Sequence, residues 1–486
     1  MTSQVTVSVV GVRVLLVSTY ELGHQPLHVA SPAGALAQAG HDARCLDLSV
    51  QRWDELAPEA VDWAEAVAFS VPMHTAMRLA VAAATAIRRR RPELPLCFYG
   101  LYAPMADDPS VACLADRAIA GEYEPALIDW VAQLAGGGRP VDTASASPTG
   151  PVTVELGRGR FSAPARHLLP PLEQYARLAV DGEERTVGYV EASHGCAHRC
   201  RHCPVPVVYD GRTRLVGEDV IVADVARQVA MGARHITFGD PDFLNGPHHS
   251  RRVVRAVHER FPQLTFDCTT KVEHVLAHRG VWKEMAEAGC LFVVSAFECL
   301  NDDILTRLDK GHTAAQAAEA VEILRDHGIE TRPSWLPFTP WTSIRDVADI
   351  VDFVARHDLV PNVDPVQYSI RLLVPQGSLL LGDAQVALGP YDPELLSYTW
   401  RSPDDGVDAL QARLASIAEE AAATGEPAGT TYLRVRSATA EAMGDAGDLA
   451  LVDVESGRGR PRLTEPWFCC AEPTAGQFGP LSQVSD

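Results

Sequence analysis

The stretch Glu191-Ala192-Ser193-His194-Gly195-Cys196-Ala197-His198-Arg199-Cys200-Arg201-His202-Cys203-Pro204 decides how the chain is read. Its three thiols fall at C-x3-C-x2-C, directly after an apolar run beginning at Val187 that reads as a strand. That spacing lets one short loop wrap three irons of a cubane [4Fe-4S] cluster and leaves the fourth iron without a protein ligand. A zinc site built from the three thiols and His194, His198 or His202 has the right ligand number as well. It is the weaker reading, because structural zinc usually draws on two separated ligand pairs and here all three thiols share one loop.

Downstream of the motif the chain alternates strand and helix. Val222, Val225, Ala226 and Val229 form an i, i+3, i+4, i+7 helical stripe. Strands are expected at Ile236 to Gly239, Leu264 to Cys268, Leu291 to Phe297, Glu330 to Trp335 and Val366 to Leu373. With the strand at Val187 to Ala192 they make six βα-type units, which suits a partial or complete (βα) barrel with its site at the strand carboxyl ends.

Upstream, Val12 to Ser18, Cys45 to Leu48, Ala66 to Val71, Leu96 to Tyr99 and Arg117 to Ile119 read as strands, with helices at Thr75 to Ile87 and Glu124 to Leu134. This alternation predicts a doubly wound, Rossmann-like parallel sheet, whose ligands bind at the strand carboxyl ends. The composition turns to Gly, Pro, Ser and Thr between Gly136 and about Pro164, as in a linker. The expected organisation is α/β: a front domain at 1–140, a linker at 141–185, the barrel at 186–380, and a C-terminal helical region with a tail at 381–486. Pro393 to Thr424 reads as helical.

The chain has 486 residues, 47% of them apolar and 22% charged, enough for two or three domains with their own cores. A formal charge of −21 opposes long-range attraction to nucleic acid or an anionic membrane. The basic run Arg88 to Arg91 suits the negative end of a helix. No segment reaches the ~20 apolar residues of a membrane span, and a signal core is not seen, so a cytoplasmic protein is expected. Cys45, Cys97, Cys113, Cys268, Cys290 and Cys299 lie in apolar contexts and read as small buried hydrophobes.

The thiol motif at a strand end resembles the signature of the radical S-adenosylmethionine (radical SAM) superfamily. The resemblance implies a [4Fe-4S] cluster on Cys196, Cys200 and Cys203, with S-adenosylmethionine (SAM) on the open iron. His202 then stands where the family usually carries an aromatic residue near the adenine. Phe238-Gly239-Asp240-Pro241-Asp242-Phe243 occupies the place of the family's Gly-Gly-Glu-type segment, giving Asp240 to the SAM amino group. Ser295-Ala296-Phe297-Glu298, followed by Leu305 and Lys310, is similar to the family's Glu-Ser strand; a carboxylate at Glu298 suits the SAM ribose or amino group. The alternative for Glu298 is an ion pair with a neighbour such as Arg332. Arg332 and Ser334 on the fifth strand, and Gln367 and Arg371 on the sixth, are polar in otherwise apolar runs and are further cofactor candidates.

The front region resembles the cobalamin-binding-like domain that precedes the barrel in one radical SAM subgroup, through Leu36 to Gly40, Val67 to Val71 and Gly121-Glu122-Tyr123-Glu124. The Asp-x-His-x-x-Gly signature of base-off cobalamin enzymes is missing, and members of the subgroup bind cobalamin without it. Cobalamin therefore stays open as a cofactor, and His74 reads as a loop histidine before a cobalt ligand. Trp467-Phe468-Cys469-Cys470-Ala471-Glu472-Pro473 resembles the ending of the CUAEP/CCAEP-tail radical SAM proteins. Adjacent thiols at Cys469 and Cys470 suit a nucleophile, a redox pair or a holder of substrate.

The resemblance implies a small-molecule substrate and a reductant such as flavodoxin or ferredoxin, without nucleic acid or membrane partners. The expected reaction is transfer of a SAM-derived group or a radical rearrangement. Cobalamin-dependent radical methylation is the alternative, and an iron-sulfur and thiol redox sensor without turnover is a third reading.

Overall fold

The computed structural model describes residues 11–136, 152–157, 161–383, 385–444 and 459–465. Two compact units emerge, one built mainly from Pro26–Pro170 and the other mainly from Pro171–Thr474.

In the first unit, strands β1 (Arg13–Ser18), β2 (Asp42–Asp47), β3 (Ala66–Ser70), β4 (Leu96–Tyr99), β5 (Arg117–Gly121) and β6 (Thr153–Glu155) form one parallel sheet. Its order is β2-β1-β3-β4-β5-β6, so the chain direction across the sheet reverses between β1 and β3. Helices α1 (Leu27–Gln38), α2 (Trp53–Trp63), α3 (His74–Arg90), α4 (Pro109–Ala112) and α5 (Glu124–Ala135) connect these strands. Ala66 to Ser70 and Leu96 to Tyr99 are buried throughout, as strands covered on both faces must be. Val14, Leu16, Val29, Leu36, Leu127 and Trp130 belong to the core between sheet and helices. Arg88 closes the end of α3 by donating to the carbonyls of Leu94 and Leu114 and pairing with Asp116 at 2.6 Å. Arg90 pairs with Asp62 and Arg91 with Glu93, so three of the four arginines of the basic run are spent locally. Part of the segment read as linker is also ordered into this sheet, because β6 pairs with β5 in register Ile119 to Thr153.

The second unit carries a seven-stranded open sheet, an incomplete barrel, in the order β14-β13-β12-β11-β8-β7-β17. β7 (Arg177–Val180), β8 (Glu183–Val190) and β17 (Arg462–Leu463) provide an antiparallel edge, and the short hairpin β9 (Ser193–Gly195) and β10 (Thr213–Leu215) follows β8. β11 (His235–Phe238), β12 (Thr265–Thr270), β13 (Cys290–Glu298) and β14 (Glu330–Trp335) continue parallel from β8. Helix α6 (Val205–Tyr209) lies within the thiol loop, and α7 (Glu218–Ala230), α8 (Pro247–Arg260), α9 (Val272–Ala277), α10 (Trp282–Glu287), α11 (Asp302–Arg307), α12 (Ala314–Asp326) and α13 (Ile344–Arg356) follow. Capping boxes start α12 at Thr313 with Gln316 and α13 at Ser343 with Asp346, satisfying donors that a helix start leaves unpaired.

The expected sixth strand, Val366 to Leu373, does not form. Pro365–Tyr368 is a 3-10 turn, and only a single bridge joins Arg371 to Phe338. Pro365 cannot donate to a ladder, and five parallel strands leave the barrel open. The expected helix from Pro393 likewise begins later. β15 (Leu388–Asp392) and β16 (Ser397–Trp400) form a hairpin there, and the helices are α14 (Asp405–Thr424) and α15 (Ala428–Met443). Of the cysteines read as buried, Cys97, Cys268, Cys290 and Cys299 are so, Cys45 is half-buried and Cys113 is exposed.

Candidate functional site at the carboxyl edge of the open barrel

The thiol loop leaves β8 and is closed at its base by the β9 and β10 hairpin, in which His194 pairs with Arg214 and Gly195 with Thr213. Gly195 has φ +74, and a Cβ there would stand 2.3 Å from the Arg212 carbonyl oxygen and 2.6 Å from the Tyr209 ring. Only glycine fits that turn. Further along, Arg199 pairs with Asp210 at 2.6 Å, the Arg201 N–H donates to the Leu308 carbonyl at 2.9 Å, and the Arg201 guanidinium reaches Asp383 at 2.8 Å. The loop is held from both ends and from the segment after α11.

Cys196, Cys200 and Cys203 are free thiols, the first two buried and the third half-buried. The Asn245 side-chain oxygen accepts from the Ala197 N–H at 3.1 Å and lies 3.8 Å from Cys196 Sγ. Burial pushes the Cys196 and Cys203 thiols up and neighbouring thiols add to that, while the Lys310 ammonium draws Cys203 the other way.

Glu298 sits at the end of β13, where a register shift in the pairing with β14 and a φ of +64 turn the chain. Its Oε1 accepts from Lys310 Nζ at 2.8 Å and lies 3.2 Å from His202 Nε2. Burial acts to raise Glu298, but Lys310 and His202 outweigh it and hold the carboxyl well below the usual carboxylate range. Burial acts to lower Lys310; Glu298, Cys200 and Cys203 reverse that and push it up to about 12. Glu298 therefore couples the thiol loop to the strand end. The alternative pairing with Arg332 is not made: Arg332 donates to Asp364 at 2.8 Å.

Asp240 is buried just after β11, and both its oxygens are engaged, one by the Ala192 N–H at 2.9 Å and the other by Ser193 Oγ at 2.6 Å. Burial raises its carboxyl to about 7. It ties the end of β8 to the end of β11. Gly239 beside it would place a Cβ 1.9 Å from the Tyr189 hydroxyl, so that position admits no side chain. Ser295 is buried on β13 with an Oγ lacking a partner among the described residues, and His202 Nδ1 and Asn245 Nδ2 lack one there too. Unpaired buried polar atoms cost about 1–3 kcal/mol each, and these three suit a polar ligand.

Ser334 is buried on β14 opposite Ala296. Gln367 accepts from the Trp335 N–H at 2.9 Å. Arg371 is turned to the C-terminal region, donating to Asp408 at 2.7 Å and to the Trp400 carbonyl at 2.5 Å, with its guanidinium 3.5 Å from the Trp400 ring centroid. Cys469 and Cys470 lie outside the described residues.

Sequence reading passed over a further cluster. His198 from the thiol loop, Asp242 after β11 and His274 on α9 bring ligand-type atoms within 4.8 Å of one another. The only signal available was histidine density in the motif itself.

An open parallel (βα) barrel with three free thiols on the loop after its first parallel strand, following a doubly wound domain in the sequence, defines a class of cofactor-dependent enzyme. Residues 190–354 match the model of the Radical SAM superfamily. Hopanoid C-3 methylase of Methylococcus capsulatus is 23% identical over 325 residues, 65% of this chain and 62% of that protein; the match thus spans under two thirds of the curated relative. Among solved structures, the radical SAM methyltransferase TsrM from Kitasatospora setae, with tryptophan and a SAM analogue bound, has a TM-score of 0.56 at 19% identity. That match covers 71% of each chain. The cobalamin-dependent SAM radical enzyme OxsB, with aqua-cobalamin and SAM bound, has a TM-score of 0.63 at 13% identity, covering 84% of this chain and 69% of its own. The match over residues 190–354 places an iron-sulfur, SAM-dependent enzyme domain of the radical SAM kind in this chain. That sets aside the sensor without turnover. No helix among the described residues is long and apolar enough to cross a membrane.

Proposed function

We propose that this enzyme is a cobalamin-dependent radical SAM methyltransferase acting on a small molecule. The observation that carries the cobalamin half lies in the front unit. Ser18 at the end of β1 with Thr19 after it, and Ser70 at the end of β3 with Thr75 in the first turn of α3, are buried polar residues near the carboxyl ends where the strand order reverses. A purely structural sheet would bury apolar residues there, and doubly wound sheets take their ligands at this crevice. The fold shared with OxsB and TsrM supports the reading, since the part of this chain matched to OxsB is larger than either unit supplies by itself.

Cys196, Cys200 and Cys203 would hold the [4Fe-4S] cluster, and His202, Ser295 and Asn245 offer unpaired polar atoms to SAM. When bound, the cluster supplies one electron to SAM and cobalamin supplies a methyl carrier. The chain's own part is to keep the thiols free, to hold Glu298 ionised against Lys310, and to fix the loop through Arg199, Arg201 and Asp240. In this reading Cys469 and Cys470, in an ending like that of the CUAEP/CCAEP-tail proteins, act on or hold the substrate, and flavodoxin or ferredoxin serves as reductant. A second reading is transfer of another SAM-derived group without cobalamin.

The test is anaerobic purification from cobalamin-supplemented cells, cluster reconstitution, and incubation with SAM and a strong reductant. Bound corrinoid is expected in the visible spectrum, with S-adenosylhomocysteine and 5′-deoxyadenosine formed by the parent and lost in Cys200→Ala. A corrinoid-free protein that releases methylthioadenosine would replace this reading with aminocarboxypropyl transfer.

A further inference from the structure

His198 lies between two of the motif thiols, yet its imidazole serves neither. Its Nε2 is 3.2 Å from His274 Nε2 and 3.7 Å from Asp242 Oδ2. Asp242 comes from the end of β11 and its side chain is completely buried. One oxygen, Oδ1, accepts from Thr270 Oγ1 at 2.7 Å and from the Leu244 N–H at 3.1 Å. The other, Oδ2, is buried without a hydrogen-bond partner, although His274 Nδ1 stands 2.8 Å away and is itself unpaired. The two atoms are close but poorly aligned for a hydrogen bond, as donor atoms converging on a common centre would be. A lone buried carboxylate oxygen is costly to leave unmatched.

Two ligands each about 2.0 Å from one ion stand about 2.8 Å apart at a right angle and about 3.3 Å apart at the tetrahedral angle. With His274 offering Nδ1, its 2.8 Å distance to Asp242 Oδ2 and the 3.7 Å distance from His198 Nε2 to the same oxygen lie at and a little above those values, and one ligand atom from each of the three residues lies within 4.8 Å of the others. Two imidazoles and one carboxylate, drawn from three separate elements, suit a borderline divalent ion and leave a coordination position for water or an oxygen donor. The outer contacts are those such a site needs: Thr270 and the Leu244 N–H fix the carboxylate, and Glu273 lies 3.6 Å from His198 Nδ1, where it can orient the ring.

We propose that His198, Asp242 and His274 form a mononuclear zinc site, separate from the three thiols and next to them in the chain. The loop that carries the thiols is then held by a metal ion at His198 as well as by Arg199 and Arg201. The inference does not depend on whether the front unit binds cobalamin.

The experiment uses the full chain with its cluster reconstituted, equilibrated anaerobically with zinc chloride and freed of loose metal by gel filtration. Elemental analysis is expected to find stoichiometric zinc in addition to cluster iron. The zinc X-ray absorption edge should show nitrogen and oxygen neighbours at about 2.0 Å and no sulfur shell at about 2.3 Å. His274→Gln and Asp242→Asn should lose that zinc while keeping the cluster iron. Absence of zinc from the parent, a sulfur shell, or zinc retained by both variants overturns the proposal. The parent's own absorption spectrum decides the matter even if neither variant folds.

Discussion

Lys310 Nζ stands 2.8 Å from Glu298 Oε1, and both side chains are almost entirely buried. The pair connects the end of β13 to the segment after α11, and through His202 it reaches the thiol loop. Two charges withdrawn from water in this way depend on each other, because either alone would face the desolvation cost without compensation.

Lys310→Met should therefore destabilise the protein by about 3–5 kcal/mol, measured by urea unfolding under anaerobic conditions. The double variant Glu298→Gln, Lys310→Met should recover part of that loss. Additive losses in the double variant would show that the two groups do not act as a pair. The pH dependence has a definite sign. Glu298 titrates lower in the folded chain than in the unfolded one, so its contribution is complete above about 4.3 and falls as the pH drops below that. Lys310 is raised to about 12, so its contribution is complete below about 10.4 and is lost as the pH climbs through the folded value.

Asp240 behaves in the opposite way. Burial lifts its folded value to about 7, above the unfolded value of about 3.9, so the native chain binds this proton more tightly. Stability contributed by this group should fall as pH rises from about 4 to about 7. Asp240→Asn should flatten that slope in unfolding midpoints taken across the range. Parallel slopes for parent and variant would count against the shift.

Gly195→Ala places a Cβ 2.3 Å from the Arg212 carbonyl at a φ of +74. The left-handed conformation alone costs about 1–2 kcal/mol for a residue with a Cβ, and the close approach adds to it. The hairpin that closes the thiol loop should open. Iron retained after reconstitution and gel filtration should drop along with the unfolding midpoint; full iron retention would mean that the hairpin does not govern the loop.

Arg371→Ala removes contacts to Asp408, the Trp400 carbonyl and the Trp400 ring. Charge-assisted hydrogen bonds of this kind are worth about 1.5–3 kcal/mol each, so thermal stability should fall while SAM affinity, read by equilibrium dialysis, stays at the parent value. A loss of SAM binding in a variant that remains folded would return Arg371 to the cofactor site.

Much of the architecture is legible in the chain because it is encoded locally. The period-3.6 stripe at Val222 to Val229 and the apolar runs at Ala66 to Val71 and Leu291 to Phe297 give strand and helix in turn, and a thiol triplet at a strand end marks the loop. The sixth strand fails as an expectation because Val366 to Leu373 has strand-like composition but starts beside Pro365, and composition does not show that the neighbouring ladder ends at β14.

The α/β class, the order of elements and the thiol motif can be read along the chain, since they depend on residues a few positions apart. Tertiary structure alone decided that Glu298 answers Lys310 and His202 rather than Arg332, that Arg371 belongs to the Trp400 and Asp408 corner, and that His198 meets His274 from 76 positions away. Each of those polar groups had several suitable partners in the sequence. Burial makes an unmatched charge or donor expensive, and the packed fold settles which partner lies within reach.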